Sequence, residues 1–248
     1  MYQMSSLKNK HIVITFGGMG VGRASAFSHA ETKVTITGRT DEYLKAVAKI
    51  LPNIFAIAAD VTNRESLEKM LAQARIQHGA IALAVERVAF NNMSQRQWQQ
   101  SLDVNLIVVF NLFRAIYAEM QTLGWDRLIA IASTASLKGY GYVANDCAAK
   151  HVVVGLVRSL ALEAAKIQVT VNALCPSFIE TSMLERSIQK IMQKTPINKA
   201  QARAVLVKDN PIGRFVQPCE LADSAVFLAF NMVDSIKGQA IATNGGEA

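Results

Sequence analysis

Cysteine, histidine and long apolar runs are scarce in this chain, and each shortage excludes something. The three cysteines, Cys147, Cys175 and Cys219, are an odd number without metal-ligand spacing. They exclude a disulfide framework and fit a reducing, cytoplasmic setting. The four histidines, His11, His29, His78 and His151, are scattered, so no metal site is expected. No apolar run reaches the length that crosses a bilayer, and no membrane partner is expected. Lys8 and Lys10 precede an apolar stretch, but Gly17, Gly18, Gly20 and Gly22 break it too early for a signal peptide. The net charge of +7 comes without a basic run or interleaved aromatics. Lys and Arg are instead spread along amphipathic segments, which reads as a solvated surface and not as a nucleic-acid interface. A basic rim that attracts an anionic cofactor or a thioester carrier stays open.

What is present is a core. With 51% apolar residues in 248, the chain is expected to form one large domain, 1–248. Short apolar, β-branched runs at His11–Phe16, Lys33–Thr37, Asn53–Ala58, Ile81–Val85, Arg127–Ser133, Val169–Leu174 and Ala240–Thr243 predict strands. Helical patterns lie between them, at Val21–Ala30, at Asp41–Leu51 with Asp41 as N-cap, and from Thr62 to His78 with Glu65 completing a capping box. Continuous apolar strands alternating with helices imply a mainly parallel sheet with helices on both faces, a single doubly wound, Rossmann-like α/β domain. The polar segment Thr181–Asn210 is inserted before the closing elements and is expected to cover a substrate site as a lid; a merely decorative helix pair is the other reading.

Thr15 to Gly22 reads T-F-G-G-M-G-V-G, between a strand and a helix. Glycines there let the backbone approach a pyrophosphate seated on the helix N-terminus. The second strand ends T-G-R-T, so Gly38 and Arg39 stand where an acidic residue would bind the ribose hydroxyls of NAD. A guanidinium at that place pairs with a 2′-phosphate, which points to NADP(H). Asp60-Val61 follows the third strand.

The segment Ser133 to Lys150 reads S-T-A-S-L-K-G-Y-G-Y-V-A-N-D-C-A-A-K. It resembles the catalytic segment of the short-chain dehydrogenase/reductases: a serine, thirteen residues on a tyrosine, and four further a lysine. Ser133 and Lys150 match; Asp146 stands at the tyrosine's place. The resemblance covers nearly the whole chain. Thr15, Gly20 and Gly22 match the family's glycine-rich turn, with Phe16 replacing its first glycine and Gly17 the nearest substitute. Asp60 and Val61 match its adenine-side pair. Asn105, in L-D-V-N-L, matches its water-holding asparagine. Asn172, Pro176 and Thr181 match the stretch that holds the nicotinamide amide, with Ser177 replacing a glycine. Gly238 to Gly246 matches the terminal strand signature. Glu86, Arg87, Val88 and Ala89 replace Asn-Asn-Ala-Gly, the floor under the cofactor. With N-P-I-G-R-F-V-Q-P before the last helix, the chain looks closest to the ketoacyl and polyketide ketoreductase branch.

In that family the tyrosine donates a proton to the carbonyl oxygen, the lysine lowers its pKa and binds the nicotinamide ribose, and the serine polarises the substrate. Asp146 is expected to be ionised, and a nearby Lys150 ammonium to lower it further, unless burial overcomes the pair. An Asp146–Lys150 helical ion pair is the plain alternative. Tyr142, one turn before Asp146, and Tyr140 in the preceding loop are relocated-donor candidates, or lining of the substrate site. Two functions follow: an NADP(H)-dependent oxidoreductase acting on a carbonyl or secondary alcohol, with a small-molecule or 3-oxoacyl thioester substrate, or a catalytically silent homologue serving as a scaffold or regulatory partner. Leu106–Met120 and Val143–Ala165 are apolar over more of their circumference than a surface helix needs, so a homo-tetramer or homo-dimer is expected.

Overall fold

The structure is a computed structural model that describes residues 8–15, 32–50, 54–61, 63–86, 95–123, 126–141 and 143–248. Among the described residues seven strands make one sheet: β1 His11–Thr15, β2 Lys33–Gly38, β3 Ile54–Ala58, β4 Ile81–Glu86, β5 Asp126–Ile131, β6 Val169–Pro176 and β7 Ala240–Thr243. Their order is β3-β2-β1-β4-β5-β6-β7. Every neighbouring pair is parallel. The strand order reverses between β1 and β4, so the carboxyl ends of these strands border the crevice where a doubly wound sheet takes its ligands.

The strands are apolar on both sides because helices cover both sides. On one face, Val13, Leu128, Val171 and Ala173 pack with Leu67, Leu71, Leu112, Phe113, Val153 and Val157. These come from helices α2 (Arg64–His78), α4 (Val108–Leu123) and α5 (Ala144–Ala164). On the other face, Ile12, Ile36, Ile129 and Leu174 pack with Leu44, Val47, Leu221 and Leu228, from α1 (Asp41–Ile50) and α8 (Pro218–Ala229). Between α2 and α4 lies α3, Gln95–Leu102.

Two expected caps differ. Asp41 is the first residue of α1 and pairs with Lys45 at 2.6 Å. The cap of α2 is Asn63, whose side chain accepts from Ser66 N at 2.9 Å; Glu65 pairs instead with Lys69 at 2.7 Å. An asparagine one residue nearer the helix satisfies the orphan amide first. Thr62 and the expected Val21–Ala30 helix lie outside the described residues.

The 181–210 segment forms two helices, α6 Ser182–Lys194 and α7 Lys199–Val207. Leu184, Ile188, Ala202 and Phe215 give them a small core of their own. Arg203 bridges Glu180 at 2.7 Å and Glu185 at 3.2 Å, and its guanidinium lies 4.8 Å from the Phe215 ring centre. Lys199 adds a second bond to Glu185 at 2.7 Å. Asn198 caps α7 in a reciprocal box with Gln201.

Candidate active site

The carboxyl end of β5 turns directly into a 3₁₀ turn, Thr134–Ser136, and Ser133 caps it. The Ser133 hydroxyl accepts from Ala135 N at 3.1 Å, while its own amide donates to Ser136 Oγ at 3.1 Å. A hydroxyl has one donor and two acceptor sites. Accepting from Ala135 leaves the Ser133 O–H free to donate to a ligand oxygen.

Helix α5 packs on that turn and on β6. Lys150, 2% exposed, reaches under it and donates to Ile131 O at 3.0 Å. One ammonium hydrogen is thereby spent on the strand end, and the side chain is fixed two residues from Ser133. Asp146 sits one turn earlier, half-buried, with Oδ1 buried and without a hydrogen-bond partner. Among the described residues it forms no ion pair with Lys150. Burial pushes the Asp146 carboxyl upward, and the Lys150 charge only partly opposes this. The expectation that Lys150 would dominate is therefore corrected. The ammonium is turned to the Ile131 carbonyl, so it does not solvate the acid, and desolvation sets the sign.

Asn105 lies in a π turn, Asp103–Ile107, between α3 and α4. It is fully buried; its amide nitrogen donates to Ser101 O at 3.0 Å, and its Oδ1 has no partner. The π turn also packs on α5. Ser133 and Asn105 thus lie on or beside two turns that both pack on α5, the helix that carries Asp146 and Lys150. Asn145 joins them: it is 1% exposed, and neither amide atom has a partner. Sequence reasoning passed over it because a lone Asn beside Asp146 reads as helix surface; only its burial marks it.

Tyr140 is not a free proton donor. Its hydroxyl donates to the Glu247 carboxylate, and burial together with that bond holds the phenol well above its ordinary range. Tyr142 lies outside the described residues, as do Phe16, Gly17, Gly20, Gly22 and the 87–94 stretch.

Several described residues fit a dinucleotide. Thr15 ends β1 and is buried. Arg39 is exposed just after β2 and forms no ion pair among the described residues, so its guanidinium is available to a phosphate. Asp60 is exposed and borders a cleft with Ala58, Asn63 and Ser66; Val61 is buried beside it. Thr181 begins α6 without a side-chain capping bond, and its Oγ1 is buried with no partner. An orphaned hydroxyl beyond the end of β6 fits a ligand amide. Asn172 is otherwise engaged: it donates to Ile236 O at 2.7 Å and accepts from Gln239 N at 3.0 Å, tying β6 to the approach to β7. Among the described residues no group of three or more His, Cys, Asp or Glu stands placed to hold a metal ion. Nor is any helix long and apolar enough to cross a membrane.

Residues 13–247 match the family described as Enoyl-(Acyl carrier protein) reductase. A 3-oxoacyl-(acyl-carrier-protein) reductase of Vibrio cholerae is 30% identical, the match spanning 97% of this chain and 98% of that protein. A D-beta-hydroxybutyrate dehydrogenase of Cupriavidus necator is 29% identical over 92% of each chain. A solved variant of actinorhodin polyketide ketoreductase, crystallised with NADPH, superimposes with a TM-score of 0.91 at 26% identity, covering 100% of this chain and 99% of that one.

Proposed function

Because the chain belongs to the short-chain dehydrogenase/reductases, we propose that it is an NADP(H)-dependent oxidoreductase interconverting a carbonyl and a secondary alcohol of the 3-oxoacyl thioester class. The observation that carries this reading is the state of Asp146. Its Oδ1 is buried without a partner and burial pushes the carboxyl upward, on a helix packed against the turn capped by Ser133, whose hydroxyl is free to donate. A nicotinamide bound at this edge supplies or accepts the hydride. Ser133 orients the carbonyl oxygen. Lys150, held by Ile131, keeps ammonium hydrogens for the cofactor ribose. Asp146 is the candidate proton donor, and Asn105 and Asn145 present unsatisfied amide atoms from which water can be ordered. Thr181 is the nicotinamide-side contact. Exposed Arg39 and the lack of an acid at Gly38 favour NADP(H), in keeping with the NADPH of the polyketide ketoreductase. The thioester class rests on the likeness to the Vibrio reductase.

The test is a cofactor titration followed by turnover. NADPH should bind saturably and more tightly than NADH, and Arg39→Asp should reverse or abolish the preference. Equal affinities in the parent protein would remove the NADP assignment. One observation favours a second reading, a catalytically silent scaffold: the family's phenol is absent from position 146, and Tyr140 is committed to Glu247. Saturable NADPH binding without any ketone reduction would support it.

Assembly into a homo-tetramer or homo-dimer belongs to the same proposal. The stripe Ala149, Val153 and Ala164 is buried against the chain's own core, together with Val157 and Ala161. Val152 on α5 and Phe110 on α4 remain 49% and 41% exposed, apolar surface suited to a two-fold contact. Sedimentation of a stable monomer at micromolar concentration would refute assembly.

A further inference from the structure

The carboxylate of Glu247 is buried, with only 5% of the side chain exposed, although it follows the final strand in a segment free to face water. Two glycines deliver it inward. Gly245 and Gly246 take φ of +65° and +86°, values that favour glycine, and a Cβ on Gly245 would lie 2.4 Å from Asn210 Oδ1. Asn244 braces the turn: its Oδ1 accepts from Gly246 N at 3.1 Å, and its carbonyl accepts from Asn210 Nδ2 at 3.1 Å.

Two hydroxyls donate to the carboxylate and one cation stands beside it. Tyr140 Oη donates to Oε1 and Ser177 Oγ to Oε2. Lys138 Nζ donates to the Glu247 carbonyl at 2.6 Å and stands 3.6 Å from Oε1. Asn210 Nδ2, 3.4 Å from Ser177 Oγ, occupies an acceptor site of that hydroxyl and leaves its hydrogen for Glu247. Lys138 and Tyr140 follow the turn that Ser133 caps; Ser177 follows β6, the strand beside β5. The donors therefore stand at the same sheet edge as Ser133.

We propose that Lys138, Tyr140 and Ser177 form a carboxylate-binding subsite, filled by the chain's own Glu247 and open to a short aliphatic monocarboxylate once that side chain is withdrawn. One hydroxyl to each oxygen matches a planar, two-oxygen anion and not a spherical one. The tail then acts as an internal ligand that closes the subsite to acids. This goes beyond the oxidoreductase reading and stands whether or not the protein reduces a carbonyl.

The test is chemical rescue in the full chain. Glu247→Ala deletes a CH₂ and a carboxylate, the volume of an acetate ion. Thermal unfolding of parent and variant is compared in sodium acetate and in sodium chloride at equal ionic strength. The variant should gain a saturable, acetate-specific rise in Tm of about 2 °C or more, and the parent none. Adding Tyr140→Phe to the variant should abolish the gain. An equal acetate response in parent and variant, or none in the folded variant, would overturn the proposal. If Glu247→Ala does not fold, Glu247→Gln serves: it keeps the volume but sets an NH₂ against a hydroxyl. In a tyrosine absorbance titration, one phenol of the parent, assigned by Tyr140→Phe, should resist ionisation more than in Glu247→Gln. Identical titrations would overturn the proposal.

Discussion

Asp126 enters β5 at the amino end of the sheet, and Asp146 opens α5 at its carboxyl end. Both carboxyls are pushed up by burial, and both have a cation in reach that fails to offset it, Lys10 for the first and Lys150 for the second. Their company differs. Around Asp126, whose own two oxygens also have no partner, the neighbouring cation is committed: buried Arg127 reaches Asp234. Around Asp146 the atoms without partners belong to a half-open edge: Asn105 Oδ1, both amide atoms of Asn145, and Thr181 Oγ1 further along. Burial alone therefore does not mark a reactive acid. A raised carboxyl becomes a candidate donor when it adjoins an edge where ligands can enter and where neighbouring polar atoms still lack partners.

The largest expected effect is at the carboxyl end. Provided NADPH binds, Asp146→Tyr should raise ketone reduction by roughly 10²–10⁴-fold, the usual worth of a well-placed general acid. Asp146→Asn should lower whatever activity the parent has. If Asn is as active as Asp, the two buried acids are alike and the distinction drawn between them collapses.

At the amino end the readout is stability against pH. The Asp126 folded value is raised from 3.8 to about 7. Its contribution is thus fully present below its unfolded value and lost as pH rises through about 7, on the order of a few kcal/mol. His11 runs the other way. Burial lowers it from 6.5 to about 4, so its contribution is present above 6.5 and lost as pH falls through about 4. The two windows overlap between about pH 4 and 6.5, so in denaturant unfolding the contributions oppose each other there and the parent profile should be nearly flat. Asp126→Asn should unmask a rise in stability with pH from His11, and His11→Gln a fall with pH from Asp126. An Asp126→Asn protein with the parent's profile would show that another group carries the effect.

A smaller contrast sharpens the comparison. His11 Nδ1 faces a carbonyl, so it must carry the ring hydrogen, and Nε2 accepts from Thr35. Thr35→Val orphans that buried nitrogen and should cost about 1–3 kcal/mol. Asn145→Leu removes atoms that have no partner already and should be neutral or stabilising, while diminishing any turnover. Equal destabilisation by the two would mean that Asn145 has a structural partner.

The least effect is expected at the α6–α7 helix pair. Arg203→Met breaks two half-exposed ion pairs, each worth little in water, so Tm should move slightly and the difference should shrink in high salt. A collapse in stability would mean that α6 and α7 depend on the pairs more than on Leu184, Ile188, Ala202 and Phe215.

The strands were legible because their apolar runs are short and β-branched, and the observed ends lie within two residues of the expected ones. β6 runs on to Pro176, since parallel pairing with β7 continues there. The cap of α2 was misread because Thr62 and Asn63 are chemically equivalent candidates, and only backbone geometry chooses between them. The local spacing of Ser133 and Lys150, the loss of tyrosine at 146 and the guanidinium at Arg39 are covalent facts, readable from the chain alone. The sign of the Asp146 shift is not. It depends on Lys150 turning to the Ile131 carbonyl and on how much water α5 leaves near the acid, both set by packing between segments far apart in sequence. The same holds for Tyr140, Ser177 and Glu247, which sequence separates by up to 107 residues and which meet only because β5, β6 and the tail end at one edge.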